Sequence, residues 1–440
     1  MTELNTALIG SIIIFFGTYY GIISKRIPRT IAAISGAVVM IFFGVALGFY
    51  DPDSAIAYID FNTIGLLLGM MVLVGLLGET GFFHYLAIKT AKLSNGSFYR
   101  LLALFVLVTA FTSAFLDNVT TVLLMAPVTI TIAKELEINP VPFLMAEVIS
   151  SNIGGTMTLI GDPPNIMIGS PKYGNIHFIE FILYLAPIVI IILFIVLLVF
   201  ELLYHDIINQ DMVKFDNIME MDEKESITNK PLLYKSLFAL GITLILFTVH
   251  HSFHIPPWVV AITGASILLM LSLPDPEEAL QHVHWATLLF FASLFIIIGG
   301  LDNAGVIELL SRNIKSISGG SLTVALFIVI MIGGAFAIAV GNIPAAIILI
   351  PTVHIFIETS NIGSGYPINP LWWGLSLGTC FGGNGTLISA PANLIVSNIS
   401  EKMGYPLSFK KFTRTSLPLT VFTLFLSFGF LWLFYIVLLG

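Results

Sequence analysis

Long apolar stretches, most of them long enough to cross a bilayer, alternate with short polar connections along nearly the whole chain. They fall at about 5–24, 29–49, 61–86, 142–170, 177–204, 233–250, 257–273, 284–310, 369–398 and 415–438. Two further stretches, 100–135 and 321–358, are each nearly twice too long for one crossing, and break at Asp117-Asn118 and Gly341-Asn342. A re-entrant hairpin, entering and leaving on one side, fits both. The runs at 142–170 and 369–398 carry polar, helix-breaking interruptions. Irregular backbone inside lipid survives only where protein or a water-filled cavity satisfies its amides and carbonyls. The pattern predicts an all-α integral membrane protein with interrupted helices at its centre.

The two interruptions are copies of one another. Gly154-Gly155-Thr156-Met157-Thr158-Leu159-Ile160-Gly161-Asp162-Pro163-Pro164-Asn165 recurs as Gly382-Gly383-Asn384-Gly385-Thr386-Leu387-Ile388-Ser389-Ala390-Pro391-Ala392-Asn393, with seven of twelve positions identical. Asn118 and Pro127 match Asn342 and Pro351 at an offset of 224, and Gly81 matches Gly305 at the same offset. Residues 61–170 therefore align with 284–398. Five crossings separate the two starts, and an odd number turns the second copy upside down. Paired broken segments in an inverted-topology repeat are a signature of secondary transporters.

Basic residues agree with this count. With Lys25, Arg26 and Arg29 in the cytoplasm, fifteen of the eighteen Lys and Arg fall inside, and only Lys172, Arg312 and Lys315 fall outside. Both chain ends are then predicted outside. The N-terminal apolar run lacks a basic n-region and a small-residue cleavage site, so it reads as the first spanning helix.

Composition narrows the class further. Of 440 residues 57% are hydrophobic and 10% charged, which leaves no room for a soluble domain. The net charge of −8 argues against nucleic acid as a partner. The single cysteine, Cys380, excludes a disulfide framework. His205 to Pro231 is the longest polar stretch and reads as a solvated, cytoplasmic linker.

Each helix restart offers chemistry. Asn118, with Val119, Thr120 and Thr121 in its first turn, and Asn342 begin helical runs; so do Asp162 before Pro163-Pro164 and Ala390 before Pro391. Each presents backbone N–H groups and a positive dipole end at mid-membrane depth. Four such ends around a cavity favour an oxyanion or a polarised hydroxyl compound. Carbonyls freed at Gly154-Gly155 and Gly382-Gly383 can coordinate a cation, which makes Gly154, Thr158, Gly382 and Thr386 candidates for Na⁺. Thr156, Asn165, Asn384 and Asn393 complete the candidate lining. Each position has a plainer reading: Asp117, Asn118 and Asn342 as caps, the glycines as helix-packing residues, Thr158 and Thr386 as partners of helix carbonyls.

Intramembrane carboxylates are costly and usually functional. Asp117 and Asp162 lie at the breaks of the first copy and Glu147 two turns earlier, whereas Gly341 and Ala390 stand opposite the two aspartates in the second copy. Asp117 or Asp162 is thus the candidate for a coupling H⁺ or Na⁺, with Glu147 as a third coupling carboxylate. Glu79 and Asp302 lie nearer helix ends and read as structural partners. His250, His251 and His254 cluster in one outside loop, where a surface metal site competes with plain solvation. No nucleotide-binding loop or nucleophile constellation is present, so neither an enzyme nor a cofactor is expected.

Leu116-Asp117-Asn118-Val119-Thr120-Thr121, Ser151-Asn152-Ile153-Gly154-Gly155-Thr156 and Gly161-Asp162-Pro163-Pro164-Asn165 together resemble the ArsB/NhaD branch of the ion transporter superfamily. That branch includes arsenite exporters, sodium–proton antiporters, silicic-acid efflux proteins and the melanosomal P protein, and is related to divalent anion–sodium symporters. The resemblance implies a scaffold domain and a transport domain moving elevator-fashion, commonly as a homodimer in the plasma membrane. On that division, 1–60, 171–204, 232–283 and 399–440 are scaffold, 61–170 and 284–398 transport repeats, and 205–231 the linker. The resemblance also places Asn118 and Asn342 at hairpin tips facing substrate. The chain departs from the pattern at Gly341, where relatives often carry Asp, and at Ser389-Ala390-Pro391. The expected function is secondary transport of a small inorganic solute, such as arsenite or silicic acid, coupled to H⁺ or Na⁺. A sodium–proton antiporter, a sodium-coupled dicarboxylate or sulfate symporter, and an ion channel are the alternatives.

Overall fold

The computed structural model describes residues 2–24, 26–204 and 215–438. Lys25 and Lys214, used above for topology, and the first ten residues of the linker lie outside the described residues. In chain order the helices are α1 (Thr2–Ile23), α2 (Arg29–Leu47), α3 (Pro52–Ala57), α4 (Phe61–Glu79), α5 (Phe82–Leu93), α6 (Phe98–Phe115), α7 (Asn118–Glu135), α8 (Val141–Gly155), α9 (Pro163–Gly169) and α10 (Phe178–Leu203). A short α11 (Phe215–Glu220) follows, then α12 (Lys230–Val249), α13 (Pro257–Ser272), α14 (Pro276–Gln281), α15 (Trp285–Asn303), α16 (Val306–Ser318), α17 (Leu322–Val340), α18 (Asn342–Ser360), α19 (Pro370–Gly382), α20 (Pro391–Lys402) and α21 (Phe409–Leu431). Ten helical stretches among the described residues are long and apolar enough to cross a membrane, which makes this a multi-pass membrane protein.

The repeat extends beyond the segment legible in the sequence. Helices α4, α5, α6 and α7 begin at 61, 82, 98 and 118, and α15 to α18 begin at 285, 306, 322 and 342, each 224 residues later. The same offset joins α3 to α14, and the element order carries α1, α2 and α10 onto α12, α13 and α21. Caps repeat with it. Asp51 and Asp275 each cap a helix beginning with proline, and Ser97 and Ser321 each accept the N–H three residues on. These flanking helices diverged in sequence because a lipid-facing surface asks only for apolar character.

Two expected spans are shorter than their apolar runs. The stretch 61–86 ends as a helix at Glu79, and 284–310 ends at Asn303. Gly81 and Gly305, at φ 77° and 83°, turn the chain through the left-handed region before α5 and α16 begin. Hydropathy does not register such a turn, because the residues after it are apolar too.

Packing crosses between repeats. α4 lies on α13 and α12, while α15 lies on α2, itself paired with α1. In the other half of the molecule, α6 packs on α8 and α17 on α19; α10 lies on α8 and α21 on α19. α7 meets α20 of the other repeat, and α18 meets α9. This groups α4 and α15 with the flanking helices, and α10 and α21 with the broken ones, unlike the division drawn from the repeat boundaries. Glycine sets the closest approaches: a Cβ on Gly154 would lie 2.2 Å from Ala110 O, and one on Gly382 2.7 Å from Gly334 O.

The described part of the linker is docked rather than solvated. Ile218 is fully buried, Lys92 Nζ donates to Met221 O and to Glu223 Oε2 at 2.6 Å, and Thr228 N–H donates to Thr80 O at 3.0 Å. Its acidic count pointed to solvent, but an apolar anchor and one lysine of α5 hold it down. Glu79 and Asp302 are structural partners, bonded to His282 at 2.7 Å and Tyr58 at 2.6 Å.

Candidate functional site

The breaks of both repeats come together at one buried junction. The helical run is interrupted between α6 and α7 at Leu116-Asp117, and between α17 and α18 at Gly341. Each second helix then docks its first N–H on the unwound loop of its own repeat: Asn118 N–H donates to Gly161 O at 3.2 Å, and Asn342 N–H to Ser389 O at 2.8 Å. Gly161 and Ser389 are equivalent positions of the duplicated motif. The two unwound loops are tied internally by their asparagines. Asn165 Nδ2 donates to Thr156 O and Thr158 O at 3.0 and 2.9 Å, and Asn393 Nδ2 donates to Gly383 O and Thr386 O, both at 2.8 Å. A side-chain amide thereby replaces the helical hydrogen bonds that the break removed.

Both loop threonines also bond across to the neighbouring helix end. Thr158 Oγ1 donates to Ala114 O, and Thr386 Oγ1 to Ile338 O at 3.5 Å. Their hydroxyls are committed as donors and keep acceptor capacity. Gly154 O and Gly382 O each accept one turn N–H, from Met157 and Gly385, both at 3.0 Å, leaving one lone pair apiece. Gly155 and Gly383 lie in the same turns; a Cβ on Gly155 would meet Gly161 O at 2.6 Å.

Side chains link the repeats. Asn118 Nδ2 donates to Asn152 Oδ1 at 3.0 Å, and Asn152 Nδ2 donates to Asn384 Oδ1 at 2.8 Å and Asn393 Oδ1 at 3.0 Å. Asn342 Nδ2 donates to both oxygens of Asp162, at 3.2 and 3.4 Å, and Ser376 Oγ donates to Asn165 Oδ1 at 2.6 Å. Asn152, Ser376 and Ser389 are absent from the sequence-derived candidates. Asn152 was within reach of sequence reasoning, since a carboxamide on an otherwise apolar helix must find a partner. Ser376 was not, because its partner is 211 residues away.

Charge is uneven across the junction. Asp162 is fully buried and Asp117 6% exposed, and no Lys or Arg forms an ion pair with either among the described residues. Asp117 caps α7, accepting Thr120 N–H at 2.9 Å and the Thr120 hydroxyl. Asn118 Oδ1 and the Thr121 hydroxyl are buried without a protein partner. Two buried carboxylates beside free acceptor oxygens, with no Lys or Arg ion-paired to either among the described residues, have the composition of a cation site. Glu147 stands apart, fully buried, with Oε1 accepting from Thr129 at 2.6 Å and Oε2 unpartnered.

Of the loop histidines expected to be solvated, His251 and His254 are exposed, whereas His250 is not. His250 is buried, its Nδ1 2.7 Å from Ile255 O, and His177 stacks on His251 with ring centroids 3.6 Å apart. No group of three or more His, Cys, Asp or Glu among the described residues could hold a metal ion.

Paired broken helices meeting at a buried polar junction, inside a duplicated helical body, define a membrane transporter. The family model for a citrate transporter, CitMHS, matches residues 19–378. An uncharacterized transporter of Mycobacterium tuberculosis is 40% identical over 98% of this chain and 99% of its own length. The human P protein is 32% identical, covering 93% of this chain and 58% of that protein. The crystal structure of the Alcanivorax borkumensis YdaH transporter, described as having an unusual topology, superposes with a TM-score of 0.60 over 92% of this chain and 98% of that one, at 11% identity. The chain belongs to the CitMHS citrate transporter family, within the ArsB/NhaD-type ion transporter superfamily.

Proposed function

We propose that this protein is a secondary active transporter of a small solute, coupled to H⁺ or Na⁺. One body, α5–α10 with α16–α21, moves past another, α1–α4 with α12–α15, as an elevator. The observation that carries the reading is the equivalent docking of Asn118 on Gly161 and Asn342 on Ser389. Two tips that dock alike, in repeats of opposite orientation, give a pocket reachable from either side by a rigid-body shift. The helix pairs α6–α7 and α17–α18 are then re-entrant hairpins, and both chain ends lie outside the plasma membrane. The scaffold body supplies the contact of a homodimer.

Asp162 and Asp117, with Asn118 Oδ1, are the coupling-cation ligands on this reading; carbonyls of Gly154 and Gly382 and the hydroxyls of Thr158 and Thr386 are within the same two turns. The solute is a small oxyanion or weak hydroxy acid such as arsenite or silicic acid. A carboxylate solute is the second reading, favoured by the description of the matching family. Purified protein in liposomes, offered arsenite, silicate, sulfate, citrate and Na⁺ under imposed pH and sodium gradients, tests this directly. Saturable uptake driven uphill by one cation gradient is expected. Current that flows down a gradient with no second solute would make the protein a channel instead.

A further inference from the structure

The helix restarts of the two repeats differ in charge, and the second lies beside an arginine that no carboxylate pairs with among the described residues. A cavity of about 70 Å³ lies at the α17–α18 junction, lined by Arg29, Phe290, Gly341, Asn342, Ser389 and Pro391. Such a volume holds about two water molecules, enough for one oxyanion or one carboxylate group. Arg29 is its one charged side chain. The guanidinium carbon lies 5.8 Å from the Phe290 ring centroid, and no carboxylate pairs with it among the described residues.

That placement is costly three times over. Arg29 is the first residue of α2, where the helix dipole repels a cation, and no acidic residue stands in that first turn. It is half-buried, so it has lost much of its hydration. It also faces a tip at which position 341 has no side chain, whereas the equivalent tip of the first repeat presents Asp117. Anchoring the cytoplasmic loop does not require it, because exposed Arg26 serves that purpose. The adjacent Thr30 ties this helix start to α15, its Oγ1 donating to Ala286 O at 3.0 Å.

The geometry points to Arg29 as the binding residue for an anionic solute at the second tip. Of the solutes proposed above, this narrows the class to the oxyanion, or the carboxylate of the second reading, which a guanidinium holds through two parallel N–H bonds, and removes arsenite and silicic acid, which are uncharged at neutral pH. The inference deepens the transport reading and rests on it for the route by which the anion reaches the tip, while binding is measured without transport.

Full-length protein in a neutral detergent, titrated by calorimetry with sulfate, phosphate, citrate and silicic acid, provides the test, with Arg29→Gln and Arg29→Lys beside the parent. At least one anion should bind, at least tenfold more weakly to Arg29→Gln and at an intermediate level to Arg29→Lys, which keeps the charge but loses the fork. Silicic acid should bind none of the three. Equal anion affinity in all three proteins, no anion binding to the parent, or binding only of anionic lipid vesicles would each overturn the assignment. Should Arg29→Gln fail to give a monodisperse elution profile, Arg29→Lys alone decides. Liposome uptake separates the two ideas. Arg29-dependent binding without uphill transport refutes the carrier, whereas uphill anion transport with an unchanged KM in Arg29→Gln refutes this role for the arginine.

Discussion

The side-chain Nδ2 of Asn342 lies 3.2 Å from Asp162 Oδ1 and 3.4 Å from Oδ2. One residue opens the second helix of a pair in the second repeat. The other closes the unwound loop of the first. Their contact joins the one fully buried carboxylate at the junction to the start of the helix where Gly341 stands in place of Asp117.

Removing the charge at that contact should uncouple transport without unfolding the protein. Asp162→Asn keeps the side-chain size and still accepts from Asn342, but offers a neutral oxygen to a cation. We expect uphill uptake in liposomes to fall at least tenfold and to lose its dependence on the coupling cation. Elution profile and helicity should stay unchanged. Coupling retained in full by both Asp162→Asn and Asp117→Asn would move the cation site away from this junction.

Asn152 should be the most destabilising single position in the junction. Its amide meets Asn118, Asn384 and Asn393, and alanine there leaves up to three buried polar groups without a partner. Each such group costs about 1–3 kcal/mol, and with partial rearrangement a total of about 2–4 kcal/mol is reasonable. Thermal unfolding in detergent measures it, and a change no larger than that of Ser97→Ala, a surface cap, would contradict the hub role.

Gly81 and Gly305 provide an internal control. Both sit at positive φ, where alanine costs about 1 kcal/mol from the backbone alone. Around Gly305 there is open space, but a Cβ on Gly81 would lie 1.8 Å from Ser226 O of the docked linker. Gly81→Ala should therefore destabilise more than Gly305→Ala and expose residues 215–229 to protease. Equal melting temperatures and equal nicking would mean the linker is not seated on this turn.

Acid should loosen the contact of His177 with the histidine loop. Burial, and then the neighbouring His251 and His250, hold the His177 imidazole below its ordinary range against the opposing pull of Glu180. The unfolded imidazole, near pKa 6.5, takes up its proton before the folded one does. Its stabilising contribution is thus complete above about pH 7 and is lost as pH falls through the lowered value. Melting temperature should drop between pH 7.5 and 5.5, and His177→Gln should flatten that slope. Parallel slopes would exclude His177 as the source.

Much of the junction was written in the chain, though unevenly. Asp117, Asn118, Asp162, Asn342 and the two twelve-residue motifs stood out because polar and helix-breaking residues are conspicuous in apolar surroundings. Glu79 and Asp302 were legible as structural partners for the same reason. Arg29 read as one more cytoplasmic anchor, since the basic-residue count cannot distinguish a lysine or arginine in water from one turned toward a cavity. The acidic linker misled, because its apolar contacts, Phe215, Ile218, Met221 and Ile227, are scattered among charges.

By itself the sequence determined the helical class, the four breaks and the existence of a repeat, all of which follow from local hydrophobicity and from backbone preferences of Gly, Pro and Asn. Tertiary structure decided which helices pack together, that Asn152 gathers three asparagines from both repeats, and that Arg29 meets the second tip. The reason is distance along the chain: Asn152 to Asn393 spans 241 residues. No local pattern specifies which of two equivalent carboxamides a third will bond.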